Sequence, residues 1–357
     1  MSEPAGRIPI LVDCDTGIDD SLALLYAAAS PECELVAVTC TAGNVDARQV
    51  AINTRAVLEL AGRSDVEVAL GREAPLARPL VTTPETHGPL GLGYAELPPP
   101  TAPLSTRFGP DVIVEEARRR PGELTLVTLA PLTNVALAVQ REPDLPRLLR
   151  RVVIMGGSYR SPGNTAPTTE WNISVDPESA RIVFEAFGPR AAEESAVEGA
   201  ALEASRSRQN LPTALGLDVT ERARMLPEHL AALAARAGCA PDGRRPDGTV
   251  NPIVRYLAEA LRFYMEFHSR YDGFYGAFIH DPLALAVALE PALARAVPLT
   301  VDVELGGRLT TGETVTDWRR IWGRPPNLDV VVEVDTAAFF ERFIERVGAF
   351  AATRATG

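Results

Sequence analysis

Short apolar runs alternate with helix-like segments over the first half of the chain, and this alternation restricts the fold more than any other feature. Strand-like runs are predicted at 8–12, 34–40, 66–70, 124–129 and 152–155. Helical patterns lie between them, at 21–27, 50–60 and 111–119. Strands that alternate with helices form a mostly parallel sheet with right-handed crossovers. We therefore predict an α/β fold with an open, mostly parallel twisted sheet flanked by helices.

The domain organisation follows from length and from two unusual segments. The 357 residues allow one large domain or two ordinary ones, and no internal repeat is visible. The segment 75–103 is rich in proline, and a loop of this length is usually functional. The segment 189–210 is rich in Ala, Glu, Ser and Arg. We predict a single domain over 1–357 with a surface insertion at 189–210.

The charged residues exclude several functions. All 35 basic residues are arginine, so a Schiff-base lysine and a P-loop lysine are excluded. The 47 acidic residues give a net charge of −12, which argues against a nucleic-acid-binding protein.

Cysteine usage and the lengths of the apolar runs indicate the cellular compartment of the protein. Cys14, Cys33, Cys40 and Cys239 form no C-x-x-C pair, so we expect free thiols in a reducing environment. The polar start predicts no signal peptide, and no run of 18 apolar residues predicts a membrane span. A soluble, cytoplasmic protein is expected.

Four carboxylates follow the first predicted strand within eight residues: Asp13, Asp15, Asp19 and Asp20. Like charges at this density need a cation or raised pKa values. No Cys/His cluster accompanies them, so a hard cation such as Ca²⁺ or Mg²⁺ is the natural partner. Aspartates at a helix start can also be ordinary caps.

Two later segments carry polar residues of interest. His280 and Asp281 precede Pro282 and an apolar helix. Taken alone, Asp281 can be an N-cap and His280 a buried histidine. Asn164, Glu170 and Asn172 lie around Trp171, a pattern that suits a sugar pocket with the indole as a wall.

Together these motifs resemble the nucleoside hydrolase family of the inosine–uridine preferring type, in the family's order and over most of the chain. Residues 13–20 match its specific D-x-D-x-G-x-D-D signature. The remaining matches are A-G-N at 42–44, H-G-x-x-G-L-G at 87–93, P-L-T-N at 131–134, M-G-G at 155–157, Asn164, E-x-N at 170–172, D-P-E at 176–178 and H-D at 280–281. The resemblance implies a nucleoside hydrolase-like sheet with a Rossmann-like core.

The resemblance also implies roles for particular residues. Asp15, Asp20, Asp281 and the main-chain oxygen of Leu129 would bind Ca²⁺, and Asp15 would also be the general base. Asp13 would tie the loop together, and His280 would lie near the leaving base and could protonate it. The substrate-binding residues implied by the family are Asp19, Asn44, His87, Asn164, Glu170 and Asn172.

The implied reaction is calcium-dependent hydrolysis of a ribonucleoside to ribose and a free purine or pyrimidine base, as in base salvage. Carboxylate and amide oxygens suit the oxocarbenium-like charge that develops on the ribose. A homodimer or homotetramer is implied as well. The base preference stays open, because the base pocket would come from 75–103 and 271–278.

Alternative functions remain. Asp13 and Asp15 also fit the D-x-D motif of haloacid-dehalogenase-like phosphatases, but those enzymes normally need a lysine and this chain has none. A serine hydrolase would show a G-x-S-x-G elbow, and Gly157-Ser158 lacks the flanking pattern. A non-catalytic ribose- or nucleoside-binding protein should have lost the general base or a metal ligand, and the presence of Asp15, Asp20 and Asp281 disfavours it. A fourth alternative keeps the chemistry and changes the substrate, to a modified nucleoside or another N-riboside.

Several aromatic residues have less specific interpretations. Tyr271 and Tyr275 could stack on a base or simply pack. Trp318 and Trp322 are predicted to be packing residues. His268 is predicted to be a helix-surface or core histidine.

Overall fold

The computed structural model describes residues 6–188 and 211–354. The insertion predicted at 189–210 lies outside the described residues. The single domain over 1–357 therefore stays a prediction.

The strands of the structure begin and end close to the predicted runs in the first half of the chain. They are β1 (Ile8–Cys14), β2 (Cys33–Cys40), β3 (Glu67–Leu70), β4 (Thr125–Thr128), β5 (Arg151–Met155), β6 (Thr213–Leu215), β7 (Arg224–Met225), β8 (Ala277–Phe278), β9 (Ala294–Leu299), β10 (Val301–Val303), β11 (Thr314–Thr316) and β12 (Leu328–Val334).

The main sheet has eight strands in the order β3-β2-β1-β4-β5-β6-β12-β9. Neighbouring strands are parallel except β12 and β9, which are antiparallel. Val12 is in register with Val38 of β2 and with Val127 of β4, so these strands end at the same edge. The sheet confirms the predicted α/β class. It also places the loops after β1, β2, β4 and β5 side by side, where parallel sheets hold their sites.

Helices cover both faces of the sheet. They are α1 (Ile18–Ala29), α2 (Ala47–Leu60), α3 (Pro84–His87), α4 (Gly109–Arg119), α5 (Thr133–Arg141), α6 (Leu145–Leu148), α7 (Trp171–Val175), α8 (Pro177–Phe187), α9 (Leu217–Thr220), α10 (Pro227–Arg236), α11 (Pro252–Tyr271), α12 (His280–Leu289) and α13 (Thr336–Thr353), with a 3₁₀ turn at Pro291–Leu293. One apolar cluster joins α1, α2, α11, α12 and α13 to the sheet, and a second joins α4, α5 and α8 to its other face.

Local sequence explains why the helices that carry site residues form where they do. Helix α1 is buried on all sides from Ile18 to Ala27, as expected for an Ala/Leu-rich helix between the sheet and other helices. Helix α11 begins at Asn251, whose side chain accepts the Val254 N–H at 3.1 Å, with Pro252 in the first turn. The Asn251 cap therefore fixes where α11 starts.

The remaining fold-level expectations concern cysteines and membranes. All four cysteines are free, and Cys14, Cys33 and Cys40 are buried, as the sequence predicted. Within 6–188 and 211–354, no helix has both the length and the apolar character needed to cross a membrane.

Candidate active site

The loop between β1 and α1 is the centre of the site. Asp20 closes this loop, since its two carboxylate oxygens accept the N–H groups of Asp15 at 3.2 Å and Gly17 at 2.9 Å. A Cβ at Gly17 would lie 2.6 Å from the Asn44 amide and 2.7 Å from the His87 ring. Only glycine fits between these two side chains, so the loop lies directly against both.

Asp13 joins three elements beneath the site. One of its oxygens accepts the Thr39 hydroxyl at 2.6 Å and the Asn134 amide at 2.8 Å. Its carbonyl accepts the Leu129 N–H at 2.8 Å. Burial raises the pKa of Asp13 to about 7 against the lowering effect of the Thr39 and Asn134 hydrogen bonds. From this buried position, Asp13 ties β1, β2 and the loop after β4 together.

Three buried carboxylates form a cluster that could hold a cation. Ligand atoms of Asp19, Asp20 and Asp281 all lie within 4.8 Å of one another. Asp281 reaches this group from the first turn of α12, far away in sequence. The family resemblance implies a role for Asp19 in holding the ribose, and the structure also places its carboxylate within the cluster of Asp20 and Asp281.

Asp15 lies beside this cluster and has one free oxygen. Its Oδ2 accepts the Asn44 N–H at 2.8 Å, whereas its Oδ1 is buried and accepts no hydrogen bond from the described residues. Leu129 lines the cavity that opens above the carboxylates, and its carbonyl accepts an N–H of the Asn172 side-chain amide at 2.9 Å. A carbonyl oxygen has a second lone pair that could bind an ion.

These residues fit a hard cation such as calcium. Burial raises the pKa of four carboxyl groups, those of Asp15, Asp19, Asp20 and Asp281. The negative charges of neighbouring aspartates raise the pKa of Asp15, Asp19 and Asp281 further. Several buried carboxylates can be charged together only beside a positive ion. The donor set is all oxygen, which is the ligand type that Ca²⁺ and Mg²⁺ prefer.

A cavity of about 470 Å³ opens above the carboxylates. This volume lies in the range of small-molecule sites. Predicted site residues line it from several loops: Asp19, Asn44, His87, Leu129, Asn164, Glu170, Asn172, His280 and Asp281. Asp13, Asp15 and Asp20 are fully buried and lie beneath its lining.

One end of the cavity presents amides and carboxylates. Glu170 caps α7 by accepting the N–H groups of Asn172 at 2.8 Å and Ile173 at 3.1 Å. Asn164 accepts the Trp171 N–H at 3.0 Å through its carbonyl, so its amide N–H groups stay available to a ligand. Trp171 itself lines the cavity, as its predicted role as a pocket wall requires. We call this region, with Asn44 and the carboxylate cluster, the ribose end, after the sugar that the family resemblance implies for these residues.

The other end is mainly aromatic, and we call it the base end, after the nucleobase that the family resemblance implies as the leaving group. Its residues from α11 lie on one helical face: Tyr264, Phe267, His268 and Tyr271. Sequence reasoning missed Tyr264 and Phe267 and placed His268 in the core or on a helix surface. The spacing of 264, 268 and 271 puts these residues on one face, which is the signal that could have found them.

Hydrogen bonds assign the protons of the histidines at this end. The Ile18 N–H donates to Nδ1 of His87 at 3.1 Å. Burial lowers the pKa of His87 to about 3, so the ring is neutral and its proton is on Nε2. His87 therefore offers a donor.

His280 has the opposite arrangement. The Thr220 hydroxyl donates to the Gly216 carbonyl at 3.2 Å and lies 2.8 Å from Nδ1 of His280. We therefore assign the His280 proton to Nδ1, which leaves a lone pair on Nε2. Burial lowers the pKa of His280 to about 3 as well.

Comparison with known proteins extends these observations. The family model described as inosine-uridine preferring nucleoside hydrolase matches residues 10–341. The chain is 37% identical over 345 residues to the pyrimidine-specific ribonucleoside hydrolase RihA of Enterobacter sp. (strain 638), covering 96% of this chain and 98% of that protein. It is 36% identical to the protein of the same name from Citrobacter koseri, covering 96% and 99% of the two chains.

Solved structures share the fold. A purine-preferring ribonucleoside hydrolase from Gardnerella vaginalis is 28% identical, with a TM-score of 0.83 over 97% of this chain and 100% of that chain. The plant nucleoside hydrolase PpNRh1 is 27% identical, with a TM-score of 0.82 over 96% and 99% of the two chains.

Proposed function

Because the chain belongs to the inosine-uridine preferring nucleoside hydrolase family, we propose that it hydrolyses pyrimidine ribonucleosides, with calcium at its buried carboxylates. As a family member it is a ribonucleoside hydrolase, an enzyme that cleaves N-glycosidic bonds. One observation carries the proposal: a single cavity joins the carboxylate cluster and sugar-binding amides to an aromatic, histidine-lined end.

The ribose end would hold the ion and the sugar. Asp15, Asp20, Asp281 and the Leu129 carbonyl are our proposed calcium ligands, and Asp19 lies in the same cluster. When bound, the ion would supply Lewis acidity for the attack of water and ligand positions for the ribose diol. The amides of Asn44, Asn164 and Asn172, with Asp19 and Glu170, would hold the ribose hydroxyls.

The reaction needs a base on the water side of the sugar. We propose that Asp15 accepts a proton from water through its Oδ1, to which none of the described residues donates. The water oxygen bonds to C1′ as the C1′–N bond breaks. Negative oxygens around the ribose stabilise the positive charge that develops on it.

The base departs from the side of the ribose opposite the attacking water, and it needs a proton there. The N–H on Nε2 of His87 is the donor that the hydrogen bonds assign to this end. His280 would contact the base through its Nε2 lone pair and could pass a proton there once it receives one. A neutral imidazole does not give up its N–H proton, so His87 would stabilise the departing base by a hydrogen bond. His280 keeps the proton-donor role that the family resemblance implies.

The pyrimidine preference follows the curated relatives. At 36–37% identity the relatives named pyrimidine-specific are nearer in sequence than the purine-preferring enzyme of known structure, at 28%. We propose the same preference here.

Release of reducing sugar from purine and pyrimidine ribonucleosides, with calcium or with a chelator, tests the proposal. We expect chelator-sensitive release, at least about tenfold faster from pyrimidine than from purine nucleosides. Faster purine release would contradict the base preference, and release that survives chelation would contradict the role of calcium. No release from any ribonucleoside would contradict the proposed substrates.

A further inference from the structure

The base end contains hydrogen-bond acceptors that the proposed reaction does not use. Glu221 and Asp272 line the cavity there, and none of the described lining residues is an arginine. The Asp272 carboxylate acts on Glu221, since burial first and Asp272 second raise the pKa of Glu221. Glu221 and Asp272 thus belong to one cavity lining, in which Glu221 is half-buried and Asp272 is exposed.

Glu221 is held in place while its carboxylate stays free. Its N–H donates to the Leu217 carbonyl at 3.2 Å, and the preceding residue, Thr220, holds His280. Arg224 lies over the rings of Phe274 and Phe278, at 4.8 and 5.4 Å from their centroids, and its Nε–H donates to the Glu221 main-chain carbonyl at 3.4 Å. Its charge acts to lower the pKa of Glu221, against the larger raising effect of burial. Across the described parts of the chain, nothing donates a hydrogen bond to the Glu221 carboxylate, and no ion pair reaches it.

A third acceptor lies in the same wall. Nδ1 of the buried His268 lies 2.8 Å from the Tyr264 carbonyl, which can only accept, so the proton of His268 is on Nδ1. Its Nε2 therefore carries a lone pair. The cavity lining thus combines two carboxylates with the unprotonated Nε2 atoms of His268 and His280, and His87 is its assigned imidazole N–H donor.

We propose that Glu221 is a specificity-determining residue that selects pyrimidine bases with an exocyclic amino group, favouring cytidine over uridine. Cytosine presents an amino donor at the position where uracil presents a carbonyl acceptor. A carboxylate accepts a hydrogen bond from the first and repels the second, and a site left with an unpaired polar group discriminates strongly. This inference rests on the proposed function, since it assumes that pyrimidine ribonucleosides are the substrates.

The kcat/KM values for cytidine and uridine, measured in wild type and in Glu221→Gln, test this inference. The wild type should prefer cytidine, and Glu221→Gln should lower the cytidine-to-uridine ratio about tenfold, since glutamine keeps the shape and adds a donor. A purely structural role would lower both values together. Glu228→Gln, an exposed change on α10, is the matched control and should leave the ratio at its wild-type value.

Inhibition of the wild type by free cytosine and free uracil gives a second measurement that needs no variant. Tighter inhibition by cytosine supports the inference, and equal inhibition contradicts it. An active Glu221→Gln enzyme with an unchanged ratio would overturn the role of Glu221 and leave the hydrolase function standing. A wild type that cleaves neither nucleoside would instead overturn the proposed substrates.

Discussion

The two ends of the cavity are built in different ways. The ribose end comes from loops at the carboxyl ends of adjacent parallel strands, and its side chains are buried and hydrogen-bonded to the backbone. The base end comes from one face of α11 and from loops distant in sequence, and it includes the largely exposed Tyr271. Under the proposed function, the loops at the sheet edge hold the bond-breaking chemistry, whereas α11 and the loops packed beside it contact the base.

The largest effect should follow a change at the ribose end. Asp15→Asn removes the proposed base while keeping the N–H bond from Asn44 possible, so kcat/KM should fall by about 10³-fold or more on every substrate. The loss should be equal for nucleosides and for p-nitrophenyl riboside, which has a good leaving group. Asp46→Asn, which keeps the cap of α2, is the control and should retain activity. Near-normal turnover by Asp15→Asn would show that another group takes the proton.

This contrast also explains what could be predicted from sequence. Val12 and its neighbours in β1 are apolar, and the polar residues that follow lie within a few positions, so a local motif reveals the ribose end. The pairing of β12 with β6 has no local signal, because it joins segments more than 100 residues apart. Glu221 likewise belongs to the site only through tertiary packing, which no nearby motif records, whereas Tyr264 has a local signal in its helical spacing from His268 and Tyr271.

An intermediate effect should follow changes at the base end. His87→Ala removes the assigned Nε2 donor, so kcat/KM for uridine and cytidine should fall about 10²-fold, and that for p-nitrophenyl riboside only slightly. His280→Ala should show the same dependence on the leaving group. His229 also accepts a backbone N–H at Nδ1, from Leu226 at 2.9 Å, but lies outside the cavity lining, so His229→Ala is the matched control. If His87→Ala lowered kcat/KM equally for nucleosides and for p-nitrophenyl riboside, His87 would act at the ribose end and not on the leaving group.

The smallest effect should come from a residue that supports the ribose end from outside. Trp318 donates its indole N–H to the Tyr159 carbonyl at 2.9 Å, and Arg160 lies 3.5 Å from its ring centroid. It therefore anchors the loop that leads to Asn164, a role beyond the packing predicted from sequence. Asp218 also holds this loop, by accepting the N–H groups of residues 159, 160 and 161 at 2.7–3.0 Å.

Trp318→Phe keeps an aromatic ring and removes one of these anchors. One hydrogen bond contributes about 1 kcal/mol net, and Asp218 remains, so KM should rise about threefold with kcat nearly unchanged. The rise should be equal for uridine and p-nitrophenyl riboside, because Asn164 serves the sugar and not the leaving group. Trp322→Phe is the matched control, since Trp322 is 40% exposed and its ring packs under Arg324 at 4.4 Å. A rise in KM seen only with nucleosides would mean that this loop contacts the base. Asn164 would then belong to the base end and not to the ribose end.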